Sequence, residues 1–124
     1  MKDELQKKQN RERFLHLLLS DDIENSVVLS FVLATTFSDS LHVPLALEKD
    51  ADYLQNNSLP TEVKGVYCRN LTLTQMVNGT LAYCETLYQD NKTECMLLGK
   101  KTPVRVEQVS DAYYKAIKKY FSGH

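Results

Sequence analysis

Residues 69–88 read RNLTLTQMVNGTLAYCETLY. Two stretches of alternating apolar and polar residues flank Asn78-Gly79, and this arrangement predicts a β-hairpin with arms at 63–73 and 81–88. Tyr67, Arg69, Leu71 and Leu73 share one side of the first arm. Leu81, Tyr83, Glu85 and Leu87 share one side of the second. The two sides coincide only if the loop holds an odd number of residues, because a one-residue slip moves a strand's whole set to the opposite face. A three-residue loop with Gly79 at a left-handed bulge meets that condition; a two-residue Asn-Gly turn does not. The register then brings Arg69 and Glu85 together, diagonally, on the apolar face.

A charge on a covered sheet face is costly to desolvate unless it is paired or solvated. Two readings of Arg69 and Glu85 follow. Either they satisfy each other as a structural pair, or they line a polar cavity that takes a ligand. The planar fork of an arginine suits a carboxylate or phosphate, to which it makes two parallel hydrogen bonds. Tyr67 and Tyr83, on the same sides of the two arms, would supply aromatic walls.

N-terminal to the hairpin, residues 3–19 carry a helical pattern with Leu5, Phe14, Leu15, Leu17, Leu18 and Leu19 among polar residues. The part before Phe14 is polar nearly all round, so residues 1–13 are expected to fray or project. Ser20-Asp21-Asp22 marks a break and an N-cap. A second helix is expected over 23–36, with Val27, Val28, Phe31, Val32 and Leu33 on a wide apolar face. Its β-branched content keeps a strand reading open. Ser38-Asp39-Ser40 ends it. Residues 41–47 alternate as a strand, and Pro44 makes that strand an edge or a bulged one. Residues 48–62 form a loop with one helical turn at 50–55.

Beyond the hairpin, 94–98 reads as a short strand or helical turn, 99–103 as a loop and 104–107 as a short strand. Ser110-Asp111 caps a final helix with Ala112, Tyr113, Ala116, Ile117, Tyr120 and Phe121 as its apolar stripe. Lys115, Lys118 and Lys119 sit toward the end where the helix dipole favours positive charge.

Bulk properties bound the function. The 124 residues suit one domain spanning 1–124. The hydrophobic and charged fractions, 43% and 25%, are those of an ordinary globular chain. A net charge of −1 gives no basic field for nucleic acid or an anionic membrane. No apolar run approaches the roughly 20 residues that span a bilayer, and the charged start lacks the apolar region of a signal peptide. A cytoplasmic location is therefore expected. Cys68, Cys84 and Cys95 match no zinc spacing and read as buried reduced thiols, with a strained Cys68–Cys84 bridge across the hairpin as a minor alternative. Asn-x-Ser/Thr occurs at Asn56, Asn70, Asn78 and Asn91 and reads as composition rather than as glycan acceptors.

The other candidates are weaker. His16, His42 and His124 have no nucleophile partner, and His16 reads as a half-buried structural residue. Gly99-Lys100-Lys101-Thr102-Pro103 lacks the lead and the following helix of a phosphate loop. The basic run at 7–13 reads as a solvated face. No cofactor or metal signature is present.

Four stretches, FLHLLLSDD at 14–22, YCRNLTL at 67–73, YCETLY at 83–88 and LGKKTPVRVE at 98–107, together resemble the chorismate lyase family and the related UTRA ligand-binding domains. The resemblance implies an α+β fold: an antiparallel sheet with the 63–88 hairpin near its centre and helices packed on one face, shortened at the C-terminus. It implies that Arg69 meets a carboxylate of a bound aromatic acid and that Glu85 stands where lyases carry a second arginine. The glycine before Arg105 and the final strand with its catalytic glutamate have no counterpart here, so fold is implied more strongly than activity. The function expected is binding of a small carboxylate-bearing molecule by Arg69, Glu85, Tyr67 and Tyr83. The alternative is a protein-interaction or regulatory module, using the 41–47 edge, the charged first helix or the tyrosine-rich last helix.

Overall fold

A computed structural model of the chain describes residues 8–69, 71–88 and 90–123. It is an α+β arrangement of five helices and a two-stranded antiparallel sheet among these residues. The helices are α1 (Lys8–Leu19), α2 (Asp22–Leu41), α3 (Asp52–Asn56), α4 (Thr72–Met76) and α5 (Lys92–Phe121). The strands are β1 (Ser58–Pro60) and β2 (Tyr67–Arg69), and a 3₁₀ turn covers Glu48–Asp50.

The core lies between α2 and α5. Val32, Leu33, Phe37 and Leu41 from α2 are buried against Ala112 and Ala116 from α5. The two alanines let the helix backbones approach, and Phe37 meets Tyr113 edge-on with ring centroids 4.5 Å apart. The helices thus pack on each other, and not on one face of a sheet as expected. Helix α2 is longer than its predicted 23–36. Leu33, Phe37 and Leu41 recur at four-residue spacing and are all buried. Burying Phe37 and Leu41 is worth about 1.5–3 kcal/mol each. This outweighs the few tenths of a kcal/mol by which Ser38, Asp39 and Ser40 each disfavour helix. The helix stops at His42, which takes a left-handed conformation (φ 55°), while the Ser38 hydroxyl donates to the Val43 carbonyl at 2.8 Å.

The strand predicted over 41–47 does not form. Leu41 belongs to α2, His42 turns the chain, and residues 43–47 join no ladder. The hairpin predicted across Asn78-Gly79 is also absent. β2 instead pairs with the preceding segment, β1, in the register Ser58↔Arg69, Leu59↔Cys68 and Pro60↔Tyr67. The true reversal lies at 61–66, where Thr61 Oγ1 donates to the Val66 carbonyl at 2.9 Å. Gly65 serves it at φ +82°, and a Cβ there would stand 3.1 Å from Leu45 Cβ. The rest of the predicted first arm coils into α4. The Thr74 hydroxyl accepts from the Leu71 amide at 3.0 Å and lies within hydrogen-bond distance of the Arg69 and Leu71 carbonyls.

Residues 80–88 lie along the α2–α5 pair without becoming a strand. The Leu81 amide donates to Ser26 Oγ at 2.9 Å, Thr86 and Tyr113 share a hydroxyl–hydroxyl bond of 2.7 Å, and Ala82 and Leu87 pack on the core. Two of the predicted inward residues, Tyr83 and Glu85, are consequently exposed. With helices as the covering surface, residues from both sides of the alternation, Ala82 and Thr86 as well as Leu81 and Leu87, are part-buried.

The loop and strand predicted over 99–107 are helix. Asn91 caps α5 by accepting from the amides of Thr93 (3.0 Å) and Glu94 (3.2 Å), so Ser110-Asp111 lies in the helix interior. Pro103 stands inside α5 and has no amide to offer the Gly99 carbonyl. A buried ion pair spans this break. Arg105 Nε donates to Glu94 Oε2 at 3.0 Å, its Nη2 bonds Oε1, and its Nη1 donates to Gln108 Oε1 at 3.2 Å.

Candidate functional site

Arg69 ends β2, and Glu85 lies on the segment that runs along the helix pair. Their Nη1 and Oε1 atoms are 3.1 Å apart, so the two charges meet as expected although no hairpin joins them. Beside them stands a residue that the sequence reading placed in a helical turn at 50–55 without assigning it to the site. Tyr53, from α3, donates its hydroxyl to Glu85 Oε2, and the Arg69 guanidinium carbon lies 4.6 Å from its ring centroid. Arg69 is thus held by a carboxylate on one edge and an aromatic face on another. Its Nε is buried and has no hydrogen-bond partner among the described residues. The bond to Glu85 holds the Tyr53 hydroxyl above the ordinary tyrosine range, and burial adds to the effect.

Among the described residues, neither of the other two predicted site residues hydrogen-bonds to this cluster. Tyr67 donates to the Ala46 carbonyl at 3.2 Å, and burial, then Glu48 and Asp50, raise its hydroxyl. It lines an open cavity of about 440 Å³ with Leu47, Glu48, Lys49 and Gln55. Its lining carries one charge of each sign, Glu48 and Lys49, and does not include Arg69, so the cavity does not extend the arginine site. Tyr83 is exposed.

The secondary candidates are also placed. His16 is exposed and not half-buried. His42 is the exposed turn residue after α2, and His124 lies outside the described residues. The three cysteines are free and exposed, not buried, and no Cys68–Cys84 bridge forms. Among the described residues no cluster of His, Cys, Asp and Glu has the makings of a metal site. None of their helices is long and apolar enough to cross a membrane.

Two features escaped sequence reading. One is Tyr53, whose role depends on α3 turning it toward β2. The other is the Glu94–Arg105 pair, visible only once 92–121 is read as one helix, since eleven residues are three turns and share a face. A third feature was read in part. Of the predicted stripe on the last helix, Ala112, Tyr113, Ala116 and Tyr120 pack on the core, but Ile117 is 47% exposed and Phe121 80%. With Leu29, Thr80 and Tyr120 they line an apolar groove of about 380 Å³. No protein family, curated protein or solved structure matches the chain.

Proposed function

We propose that this chain is a protein-interaction module whose apolar surface along α5 is covered by a protein partner. Surface area carries the reading. The chain exposes 9427 Å², about 2,600 Å² more than the ~6,800 Å² usual for a folded monomer of its 14.2 kDa. Residues 1–7 at full extended-chain surface account for only about 1,300 Å² of that excess. The remainder exceeds the ~800 Å² that each side contributes to a standard protein interface. Exposed large apolar side chains occur along the chain, and on α5 they include Val104, Val106, Tyr114, Ile117 and Phe121. Three free, exposed thiols suit a reducing compartment, and the proposal includes a cytoplasmic location.

The test is binding of an apolar fluorescent dye to the folded chain. Strong binding is expected, with loss in an Ile117→Lys, Phe121→Lys variant that keeps its helical circular dichroism. A folded chain that binds no dye would sink the proposal.

One observation favours a second reading, in which the chain binds a small carboxylate as a divergent, shortened relative of chorismate lyase. Arg69 Nε is buried without a partner, and a side-on carboxylate would supply one. Tyr53, more than Tyr67 or Tyr83, would then be the aromatic wall. The reading ranks second because Glu85 already occupies Nη1 of the same arginine.

A further inference from the structure

The exposed part of α5 has an order that bears on what covers it. Val106, Ser110, Tyr114, Ile117 and Phe121 follow at spacings of four, four, three and four residues, and all are exposed. At 100° per residue they fall within an arc of about 80° and run along about 22 Å of helix. The charges beside this stripe are sorted along it. Glu107 comes first and Lys118 last, about 20° and 40° beyond the edge of the stripe, while Asp111 and Lys115 pair with each other farther round and Lys119 stands on the opposite side of the helix.

We infer that the occupant of this face is a second copy of the chain, with α5 packed antiparallel against α5 about a two-fold axis. The inference rests on the interaction-module reading above. An axis near the middle of the segment brings Val106 of one copy close to Phe121 of the other. It also brings Glu107 of each copy toward Lys118 of its mate. In a parallel pair the two-fold axis runs along the helices and sets the charged flanks of the two copies on opposite sides of the interface, where Glu107 and Lys118 cannot meet. The acid-first, base-last order therefore fits self-association in one direction only. The area agrees, since the surplus surface beyond residues 1–7 exceeds the ~800 Å² that one side of such an interface needs.

The experiment measures the mass of the full chain in solution by sedimentation over a wide concentration range, alongside dye binding. The expected result is twice 14.2 kDa, with reversion to a folded monomer in Ile117→Lys, Phe121→Lys. Glu107→Lys or Lys118→Glu alone should each weaken the dimer, by about tenfold for two symmetry-related pairs turned repulsive. Both changes together should restore it. A dimer indifferent to these charge reversals overturns the antiparallel α5 interface. A monomer that binds dye strongly overturns the second copy as occupant while the interaction reading stands. A monomer that binds no dye overturns both.

Discussion

The chain holds two arginine–glutamate pairs, and they differ in almost everything but composition. Arg69–Glu85 joins two separate segments sixteen residues apart, and its side chains are 23% and 44% exposed. Glu94–Arg105 lies within one helix, with side chains 11% and 7% exposed. Water screens the first pair, so its loss costs little. The second has been taken out of water, and its charges depend on each other. Burial, and not the presence of an ion pair, decides which one the fold requires. The first pair drew attention in the sequence because it sat oddly on an alternating pattern. The second was passed over because Glu94 looked like an ordinary polar residue in a short strand or helical turn and Arg105 like one in a short strand.

The largest effect should come from breaking the buried pair singly. Arg105→Met leaves the Glu94 carboxylate buried without its cation, and Glu94→Leu strands the guanidinium. Either should lower stability by about 3–5 kcal/mol. Equilibrium urea unfolding followed by circular dichroism measures this. Replacing both together, Glu94→Leu with Arg105→Met, should recover most of the loss, since an apolar pair of similar volume needs no counter-charge. If the single changes cost less than 1 kcal/mol, the contrast between the two pairs fails.

How much of this was legible follows from where each residue finds its partner. The apolar face of α2 could be read from Val32 and Leu33, because helix partners lie three and four residues away and period alone reveals them. Its end could not, because Phe37 and Leu41 are held in helix by Ala112 and Ala116, more than seventy residues on. Residues 69–88 failed more completely. Alternation says that a segment has two sides but not what covers them, and α2 and α5 cover residues 80–88. Thr72–Met76 has β-branched residues suited to strand, yet the Thr74 hydroxyl bonds the backbone of a helical turn. In α5, Gly99 and Pro103 carried the signals of a loop, and the cap at Asn91 with the Glu94–Arg105 clasp overrode them. Arg69 and Glu85 were paired correctly for an incorrect reason. The inward hairpin face does not exist, but two isolated charges in otherwise apolar segments still found each other.

A smaller effect should follow at the exposed pair. Glu85→Gln removes the carboxylate from Arg69 and Tyr53 and should cost about 1 kcal/mol or less. It also uncovers Nη1 of Arg69. Thermal shifts with small aromatic and aliphatic carboxylates, compared across the native chain, Glu85→Gln and Arg69→Ala, therefore sharpen the ranking of the two functional readings. Under the interaction reading no carboxylate stabilises the native chain. Under the carboxylate reading a ligand well above its dissociation constant raises the melting temperature by an amount worth a few kcal/mol. That rise should grow in Glu85→Gln and vanish in a folded Arg69→Ala.

The smallest effect is one of pH, and it too separates the two pairs. Tyr53 donates to Glu85 and is held above its ordinary value of 10.0. The folded chain therefore keeps this proton at a pH where the unfolded chain has begun to lose it. Above pH 10 the unfolded state binds fewer protons than the folded state, so stability falls with rising pH. The Tyr53 contribution is whole below pH 10 and is lost progressively as pH climbs toward the raised value. Tyr53→Phe should flatten this alkaline decline while leaving stability near neutral pH reduced only by the lost hydrogen bond, about 1 kcal/mol. Urea midpoints at neutral pH and above pH 10 measure both quantities. Tyr113, also raised, titrates against the core and not against either ion pair, so Tyr53→Phe alone should change the alkaline slope attributable to the Arg69–Glu85 cluster. An unchanged slope would mean that the hydroxyl does not bond Glu85 in solution, and the cluster would reduce to a surface salt bridge beside an aromatic ring.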